Sequence, residues 1–246
     1  MATRAWFPPH GCKAIAWYPH MTDSPRRRIP EAAVGRLPVY LRILGDLAAD
    51  GTTQISSDQL AELAGVNAAK VRKDLSYLGT YGTRGVGYDV QYLTHQIRRE
   101  LGLNQSWPVV IVGAGNLGQA LANYAGITER GFTIVGVVDK DETKIGTVVG
   151  GVRVKHADEL QQIAQSKSVS IGIVATPAGG AQEAADALVK AGIGSILNFA
   201  PTVLNVPHGV NVRKVDLALE LQILSYYEAC RADGEASGGR NTPVSA

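Results

Sequence analysis

A glycine-rich segment directly after an apolar run is the part of this 246-residue chain whose residue types and spacing most clearly predict chemistry. The strand-like run Val109–Val112 leads into Gly113–Gly118, which reads GAGNLG and has the spacing GxGxxG. In such a loop the first glycine permits a tight turn, the second lets backbone approach a pyrophosphate, and the third lets the following helix pack closely on the strand. The segment predicts a dinucleotide-binding loop. The alternative is a turn between strand and helix with no ligand.

An acidic residue at the end of the next strand-like run supports this prediction. Asp139 follows Phe132–Val138 and lies about 20 residues after Gly118, the offset at which a carboxylate accepts hydrogen bonds from the adenosine ribose. Its charge would repel a 2′-phosphate, which favours NAD or NADH over NADP. Loops at the carboxyl ends of later strands are expected to form the nicotinamide end, although simple strand-ending turns are the alternative. The predicted cofactor residues are Gly113, Ala114, Gly115, Asn116, Leu117, Gly118, Asp139, Lys144, Thr176, Pro177, Asn198 and Phe199.

The acid or base that hydride transfer requires near a nicotinamide is not evident in this half of the sequence. No Tyr-x-x-x-Lys pair follows the central strands, and His156 and His208 have no carboxylate at an obvious orienting position. We therefore predict that the chain binds a dinucleotide without turning it over and is not an enzyme.

Two short helical segments in the first half predict a helix-turn-helix. Ser56 and Gln59 have capping-box spacing, Gly65 turns the chain, and Asn67 caps a second helix that is expected to run to about Leu78. One face of this second helix is apolar, with Val71, Leu75 and Leu78. The other carries Ala69, Lys73, Ser76 and Tyr77, with Lys70 and Arg72 on the flanks.

A glycine-rich stretch, Thr80–Tyr88, follows this helix and predicts a hairpin, or wing, with Arg84 at its tip, which suits insertion into a minor groove. Between Gly65 and Tyr88 the single acid is Asp74, against the cations Lys70, Arg72, Lys73 and Arg84, although the whole chain has a net charge of only +2. Such concentrated positive charge is typical of a DNA-binding face. A solvated helix in a small interaction domain is the alternative.

The hydrophobic pattern changes near residue 105 and divides the chain in two. Up to that point apolar residues recur at helical spacing, whereas beyond it β-branched runs alternate with amphipathic stretches, which predicts βαβ units and a parallel sheet. The predicted fold class is α/β. We expect a disordered extension (1–30), a winged helix-turn-helix domain (31–90), a linker helix (91–106), a Rossmann-type doubly wound sheet (107–212), a C-terminal dimerisation helix (213–230) and a disordered tail (231–246).

The C-terminal helix is apolar on nearly every side, so it must be buried on all sides, which favours a dimer over an ordinary sheet-covering helix. Cys12 and Cys230 have no neighbouring ligand at metal spacing, and no apolar run approaches the roughly 20 residues that span a bilayer. We expect a cytoplasmic protein with no metal site and no membrane segment.

Four segments, Lys70–Tyr77 (KVRKDLSY), Tyr81–Tyr88 (YGTRGVGY), Gly113–Gly118 and Ile196–Pro201 (ILNFAP), together resemble the Rex family of redox-sensing transcriptional repressors. The resemblance covers roughly residues 29–228. It implies a homodimer that represses respiratory and fermentative genes by binding a palindromic operator when NADH is scarce, and that releases the operator when NADH binds.

The resemblance also implies residue roles. Lys73 would read bases, Arg84 would enter the minor groove, and Ser57, Arg72 and Tyr77 would contact phosphates; Lys70 is added from helix geometry. Tyr124 would lie near the nicotinamide, Arg42 would pair with Asp216 of the partner subunit as a switch, and the C-terminal helix would be exchanged between protomers. Pro38 departs from the family pattern and is expected to kink the first helix and displace Arg42 slightly.

Two other functions are compatible with parts of the sequence. One is an NAD-dependent dehydrogenase with an appended helical domain, which would turn over NADH with a small carbonyl substrate. The other keeps DNA binding but takes a different adenine nucleotide or coenzyme A, because the glycine loop and Asp139 recognise only adenosine, ribose and phosphates.

Overall fold

The computed structural model describes residues 29–79, 82 and 87–238, and the chain divides into two compact units, Met1–Leu101 and Gly102–Ala246. Most of the predicted N-terminal extension, the wing tip with Arg84, and the tail beyond Gly238 lie outside the described residues.

The first unit is a small helical domain with a two-stranded antiparallel ribbon. Its elements are α1 (Glu31–Val34), α2 (Leu37–Ala49), β1 (Gln54–Ile55), α3 (Ser57–Leu63), α4 (Ala68–Tyr77), β2 (Tyr88–Asp89) and α5 (Val90–Glu100). Apolar residues at helical spacing converge on one core that includes Leu44, Leu60, Leu75 and Leu93. Because α5 contributes Leu93 and Ile97 to this core, the helix expected as a linker is part of the first unit.

Pro38 does not have the effect expected from the sequence. It lies in the first turn of α2, where the N–H that proline lacks would have no intrahelical partner in any case. The helix continues regularly to Ala49. The prediction that Pro38 kinks the helix is therefore wrong.

The second unit contains a seven-stranded sheet in the order β5-β6-β4-β3-β7-β8-β9. The strands are β3 (Trp107–Val112), β4 (Phe132–Asp139), β5 (Val148–Val149), β6 (Val152–His156), β7 (Ile171–Val174), β8 (Ser195–Asn198) and β9 (Asn211–Lys214). All pairs are parallel except β5 with β6. After β3, the strands β4 to β6 are added on one side of it, and the chain then crosses over to add β7, β8 and β9 on the other side. The carboxyl ends of β3 and β7 thus form the switch point at which doubly wound sheets bind ligands.

Helices connect and follow these strands. They are α6 (Asn116–Ala122), α7 (Ala125–Thr128), α8 (Leu160–Ser166), α9 (Ala178–Lys190) and α10 (Leu217–Gly238). Helices α8 and α9 pack with Val110, Val138 and Ile196 on one face of the sheet. The α10 helix extends to Gly238, past the expected end at residue 230. The first part of the segment expected as a disordered tail is therefore helical.

None of the helices in residues 29–79 and 87–238 combines the length and apolar character that crossing a membrane requires. Within the same residues no cluster of side chains suited to hold a metal ion is present.

Candidate functional site

The glycine loop between β3 and α6 has the geometry that its sequence predicts. Gly113 has φ +107°, and a Cβ there would lie 2.6 Å from the carbonyl oxygen of Ala175. A Cβ on Gly118 would overlap the carbonyl oxygen of Gly113, which explains why α6 can pack so closely on β3. Gly115 differs from both, since it has an ordinary φ of −76° and no atom within 4 Å of the place a Cβ would take. The space over Gly115 is therefore open to a ligand.

The first turn of α6 also lacks a capping side chain, because Gly115 is its N-cap residue and no side-chain bond caps it. The first amides of a helix have no intrahelical acceptor, and they favour an anion. Asn116 and Leu117, the first two residues of the helix, are exposed. The loop thus fits a pyrophosphate.

Asp139 lies at the carboxyl end of β4 and is tied to the glycine loop. Its Oδ2 accepts a hydrogen bond from the Ala114 amide at 2.6 Å, and Oδ1 accepts one from the Asp141 amide at 2.9 Å. The Lys144 ammonium lies 3.3 Å from Oδ2. Although burial alone would raise the pKa of Asp139, the two amide donors and Lys144 hold it below its ordinary value. The carboxylate is charged at neutral pH.

These bonds were not evident from the sequence, which assigned Asp139 only to ribose. A carboxylate has about four lone-pair sites, so three donors leave one position for a ribose hydroxyl. Asp139 thus holds the glycine loop in place and keeps one position that a ligand hydroxyl could take. Lys144, which also belongs to the predicted cofactor residues, forms a second ion pair, with its Nζ 3.3 Å from Oδ2 of Asp141.

An apolar cleft of about 280 Å³ opens beside Gly113 and Asp139 at the carboxyl ends of β3, β4 and β7. Val112, Val138 and Pro177 are among its walls, which suit the faces of a planar base. Thr176 also lines it, and in the described part of the chain its hydroxyl is a buried polar atom with no hydrogen-bond partner. A buried hydroxyl without a partner is costly, so this oxygen fits a ligand group in the cleft. Glycine loop, acid and cleft together fit an adenine dinucleotide.

The residues expected at the nicotinamide end lie in different environments: one is buried in a loop, one packs on the sheet and one is exposed. Asn198 is buried. Its Nδ2 donates to the Thr202 carbonyl and its Oδ1 accepts from the Ala200 amide, so the side chain holds the conformation of the loop after β8. Phe199 packs against the sheet face that holds Val109 and Ile173. Tyr124 is more than half exposed and lines a second apolar cleft, apart from the one beside Asp139.

In the first unit, α3 and α4 form the predicted helix-turn-helix. The Ser56 hydroxyl accepts from the Gln59 amide at 3.1 Å while the Gln59 side chain accepts from the Ser56 amide at 3.0 Å, which completes the capping box. The Asn67 side chain caps α4 by accepting from the Lys70 amide at 2.8 Å. Gly65, with φ +66°, makes the turn between the helices. Both predicted helix starts are confirmed.

The two faces of α4 separate as the sequence predicts. Val71, Leu75 and Leu78 are buried. Ala69, Lys70, Arg72 and Lys73 are exposed, and Ser76 and Tyr77 are half-buried. The Arg72 guanidinium donates to the Ser57 hydroxyl at 2.9 Å, so two residues expected to contact phosphates meet at one place on the surface. The α4 surface therefore presents closely spaced cations that can follow a nucleic-acid backbone.

Asp74 does not belong to the exposed surface of α4, although its charge was counted there from the sequence. Its side chain is only 2% exposed, and it pairs with Arg36 Nε at 2.6 Å and Nη2 at 2.8 Å. The buried Tyr40 hydroxyl donates to the same carboxylate at 2.9 Å, and burial followed by this bond raises the pKa of Tyr40 to about 12. The exposed α4 surface is thus more positive than the sequence count implied. No spacing rule identifies a pair separated by 38 residues.

The two residues expected to form a switch lie in different units. Arg42 is exposed on α2. Asp216 precedes α10, accepts from the Leu219 amide at 3.3 Å and pairs with Lys214 Nζ at 3.0 Å, which lowers its pKa.

Comparisons with known proteins agree with this division into two sites. Residues 28–76 match a family described as "Putative DNA-binding protein N-terminus", and residues 104–202 match one described as "CoA binding domain". A curated relative from Streptomyces coelicolor, "Redox-sensing transcriptional repressor Rex", is 59% identical over 228 residues, which are 92% of this chain and 88% of that protein.

Solved structures of RSP, a Rex-family repressor, are similar over both units. The complex with β-NAD⁺ and operator DNA is 35% identical with a TM-score of 0.78, and covers 87% of this chain and 99% of that one. The complex with β-NADH is 35% identical with a TM-score of 0.76, and covers 85% of this chain and 98% of that one. The names of the relatives also confirm the prediction of a regulator instead of an enzyme. With the helix-turn-helix, the dinucleotide loop and this identity along most of its length, the chain belongs to the Rex family of redox-sensing transcriptional repressors.

Proposed function

We propose that this chain represses respiratory and fermentative genes by binding a palindromic operator when NADH is scarce, and that bound NADH releases it. The observation that carries this proposal is the presence on one chain of an exposed cationic recognition helix, α4, and a glycine loop open to a pyrophosphate over Gly115. The solved relatives with NADH, and with NAD⁺ and operator DNA, support the same ligands for this protein. As a DNA-binding regulator it would act in the cytoplasm.

The choice between the two redox forms depends on the charge of the nicotinamide ring. NAD⁺ carries a positive charge on this ring that NADH lacks, and burying an unpaired cation is costly. Pro177 and Phe199 are apolar, and Asn198 is already engaged within its loop. A ring between these groups would be more stable in its neutral, reduced form. A ligand can shift a conformational equilibrium only through such a difference in affinity.

The proposal includes a homodimer. Seven large apolar side chains of α10 are between 44% and 65% exposed in the single chain: Leu217, Leu219, Leu221, Ile223, Leu224, Tyr226 and Tyr227. So large a contiguous apolar surface is rare on a monomer. A second copy of the chain, as the family resemblance implies, would bury it and would match the two-fold symmetry of a palindromic operator.

Binding to a labelled palindromic duplex, selected by the protein from random sequence and followed by fluorescence anisotropy at fixed salt, tests this function. NADH should weaken binding by about 5-fold to 150-fold, the usual range of coupling between two sites, while NAD⁺ should have a much smaller effect. Sedimentation of the same sample should give about twice the chain mass of 26.0 kDa.

Other outcomes would contradict the proposal. Affinity that is indifferent to both dinucleotides but changes with coenzyme A or ATP would assign the cleft to another adenine ligand. Steady oxidation of NADH with a carbonyl substrate and no DNA binding would indicate the dehydrogenase.

The switch between states is proposed to use Arg42 and Asp216 of the partner subunit. In the single chain Asp216 already pairs with Lys214, so the switch would exchange one cation for another around this carboxylate. We expect Arg42→Ala to fold and bind operator, but to lose most of the weakening caused by NADH. Lys190→Ala, which removes an exposed cation from α9, is the matched control. NADH-induced release that is unchanged in Arg42→Ala would rule out this assignment.

A further inference from the structure

The buried carboxylate of Asp74 lies on the recognition helix itself, directly after Lys73 in the chain. Among the residues that the structure describes, Asp74 is the one fully buried charged side chain. Its carboxylate receives three donors: Nε and Nη2 of Arg36, in a side-on pair, and the Tyr40 hydroxyl. Arg36 is the N-cap residue of α2 and Tyr40 follows one turn later, so both lie on the same side of that helix. The three side chains fasten α4 to α2.

Stability alone does not account for this arrangement. Asp74 is 2% exposed while Arg36 keeps 26% of its side chain exposed, so the cost of burying the carboxylate offsets much of the attraction, and apolar replacements at such pairs are often as stable. What the pair adds is direction, since two parallel bonds from a planar guanidinium fix both the distance and the angle of the carboxylate.

The other buried contacts of α4 are apolar and have no preferred angle. Val71, Leu75 and Leu78 pack into the core through apolar burial, which depends on area and sets no preferred direction. A rotation of about 20° moves a side-chain tip at a radius of about 6 Å by roughly 2 Å. Functional groups must be held within about 0.5 Å of a productive geometry. Apolar packing by itself would therefore leave Lys73 imprecisely placed.

We propose that Asp74 is a positioning residue for sequence-specific DNA binding, with Arg36 and Tyr40 as its anchors. This inference depends on the proposed operator binding, and it adds a residue that touches no DNA. Asp74 lies about 100° round the helix from Lys73, toward the core. Holding the carboxylate fixes the rotation of α4 about its axis, and thereby the position of the Lys73 side chain over base edges. Contacts to phosphates tolerate more displacement, because they depend mainly on charge.

The proposal predicts a loss of sequence discrimination without a general loss of DNA affinity. The triple variant Arg36→Met, Tyr40→Phe and Asp74→Leu replaces the whole network by apolar groups and leaves no buried charge unpaired. We expect its melting temperature to stay within a few degrees of the parent. Its affinity for a scrambled duplex should change by no more than about twofold, while the ratio of operator to scrambled affinity falls by at least about tenfold.

A second variant, Arg36→Lys, tests direction separately from charge. Lysine keeps the positive charge but cannot form two parallel bonds, so the affinity ratio should again fall. The matched control is Lys155→Gln with Glu159→Gln, which removes an ion pair of the second unit and should leave the ratio unchanged. Both ratios are measured at one salt concentration, without NADH.

The results separate this inference from the function on which it depends. An unchanged ratio in either network variant, or an equal loss of affinity for both duplexes, would show that Asp74 has only a structural role and would overturn the inference. A parent protein that binds scrambled DNA as tightly as the selected palindrome would overturn the operator function, and the inference with it.

Discussion

The variant Gly115→Val should fold, bind operator DNA and no longer respond to NADH. Gly115 has an extended backbone with φ −76° and ψ −173°, which valine adopts without strain. Nothing lies within 4 Å of the Cβ position, so the first atom of the new side chain meets open space. The new side chain instead occupies the space through which a pyrophosphate would reach the first amides of α6. We expect NADH affinity to fall by about 100-fold or more, roughly 3 kcal/mol, and the repressor to stay bound at NADH concentrations that release the parent.

Three measurements test this expectation: thermal unfolding, NADH binding by fluorescence, and operator binding by anisotropy with and without NADH. Gly194→Val is the matched control, because Gly194 is exposed, has open space at its Cβ position and precedes β8 at the opposite end of the sheet. Gly118→Val provides a contrast, since a Cβ there overlaps the carbonyl oxygen of Gly113 and should destabilise the whole unit. If Gly115→Val binds NADH as the parent does, the pyrophosphate does not lie on this loop.

These different roles for three glycines show what local sequence can predict. A loop of six residues between a strand and a helix determines its own backbone conformation, so Gly113, Gly115 and Gly118 could be interpreted from their spacing. The same holds for the caps at Ser56 and Asn67, which bond within their own turn. The strands β3, β4 and β7 could be predicted because each is rich in β-branched residues.

Features that depend on distant residues could not be predicted in this way. Strand β5 has two residues and pairs antiparallel at the edge of the sheet, which is too short to give a periodic signal. The bond from Ala114 to Asp139 and the pair of Arg36 with Asp74 join segments that meet only in the folded chain. Asp74 lies three residues after Val71 and four before Leu78, so helical spacing places it on the apolar face, but its partners Arg36 and Tyr40 lie 38 and 34 residues earlier and no local pattern identifies them.

The DNA-binding face should show two kinds of residue when its cations are removed singly. We expect Lys73→Ala to weaken operator binding by about 1–3 kcal/mol and to reduce discrimination against operators altered at one base pair, because the resemblance assigns it to a base edge. Arg72→Ala, next to it, should instead weaken binding to all duplexes by a similar factor, since Arg72 lies beside Ser57 where a phosphate is expected. The slope of log affinity against log salt should become shallower by about 1 for Arg72→Ala.

The comparison is informative because the two side chains are consecutive, exposed and equal in charge. An effect of net charge alone would appear equally in both variants, and also in Lys167→Ala, which removes an exposed cation from the second unit. We expect this control variant to change the affinity and the salt slope very little, so that the losses in the other two variants reflect their positions on α4. A separation in which only Lys73→Ala alters base preference would place that side chain in the major groove, where single base pairs can be distinguished. Identical losses for Lys73→Ala and Arg72→Ala on every duplex would mean that α4 contributes charge alone, and that the bases are read by a part of the protein other than this helix.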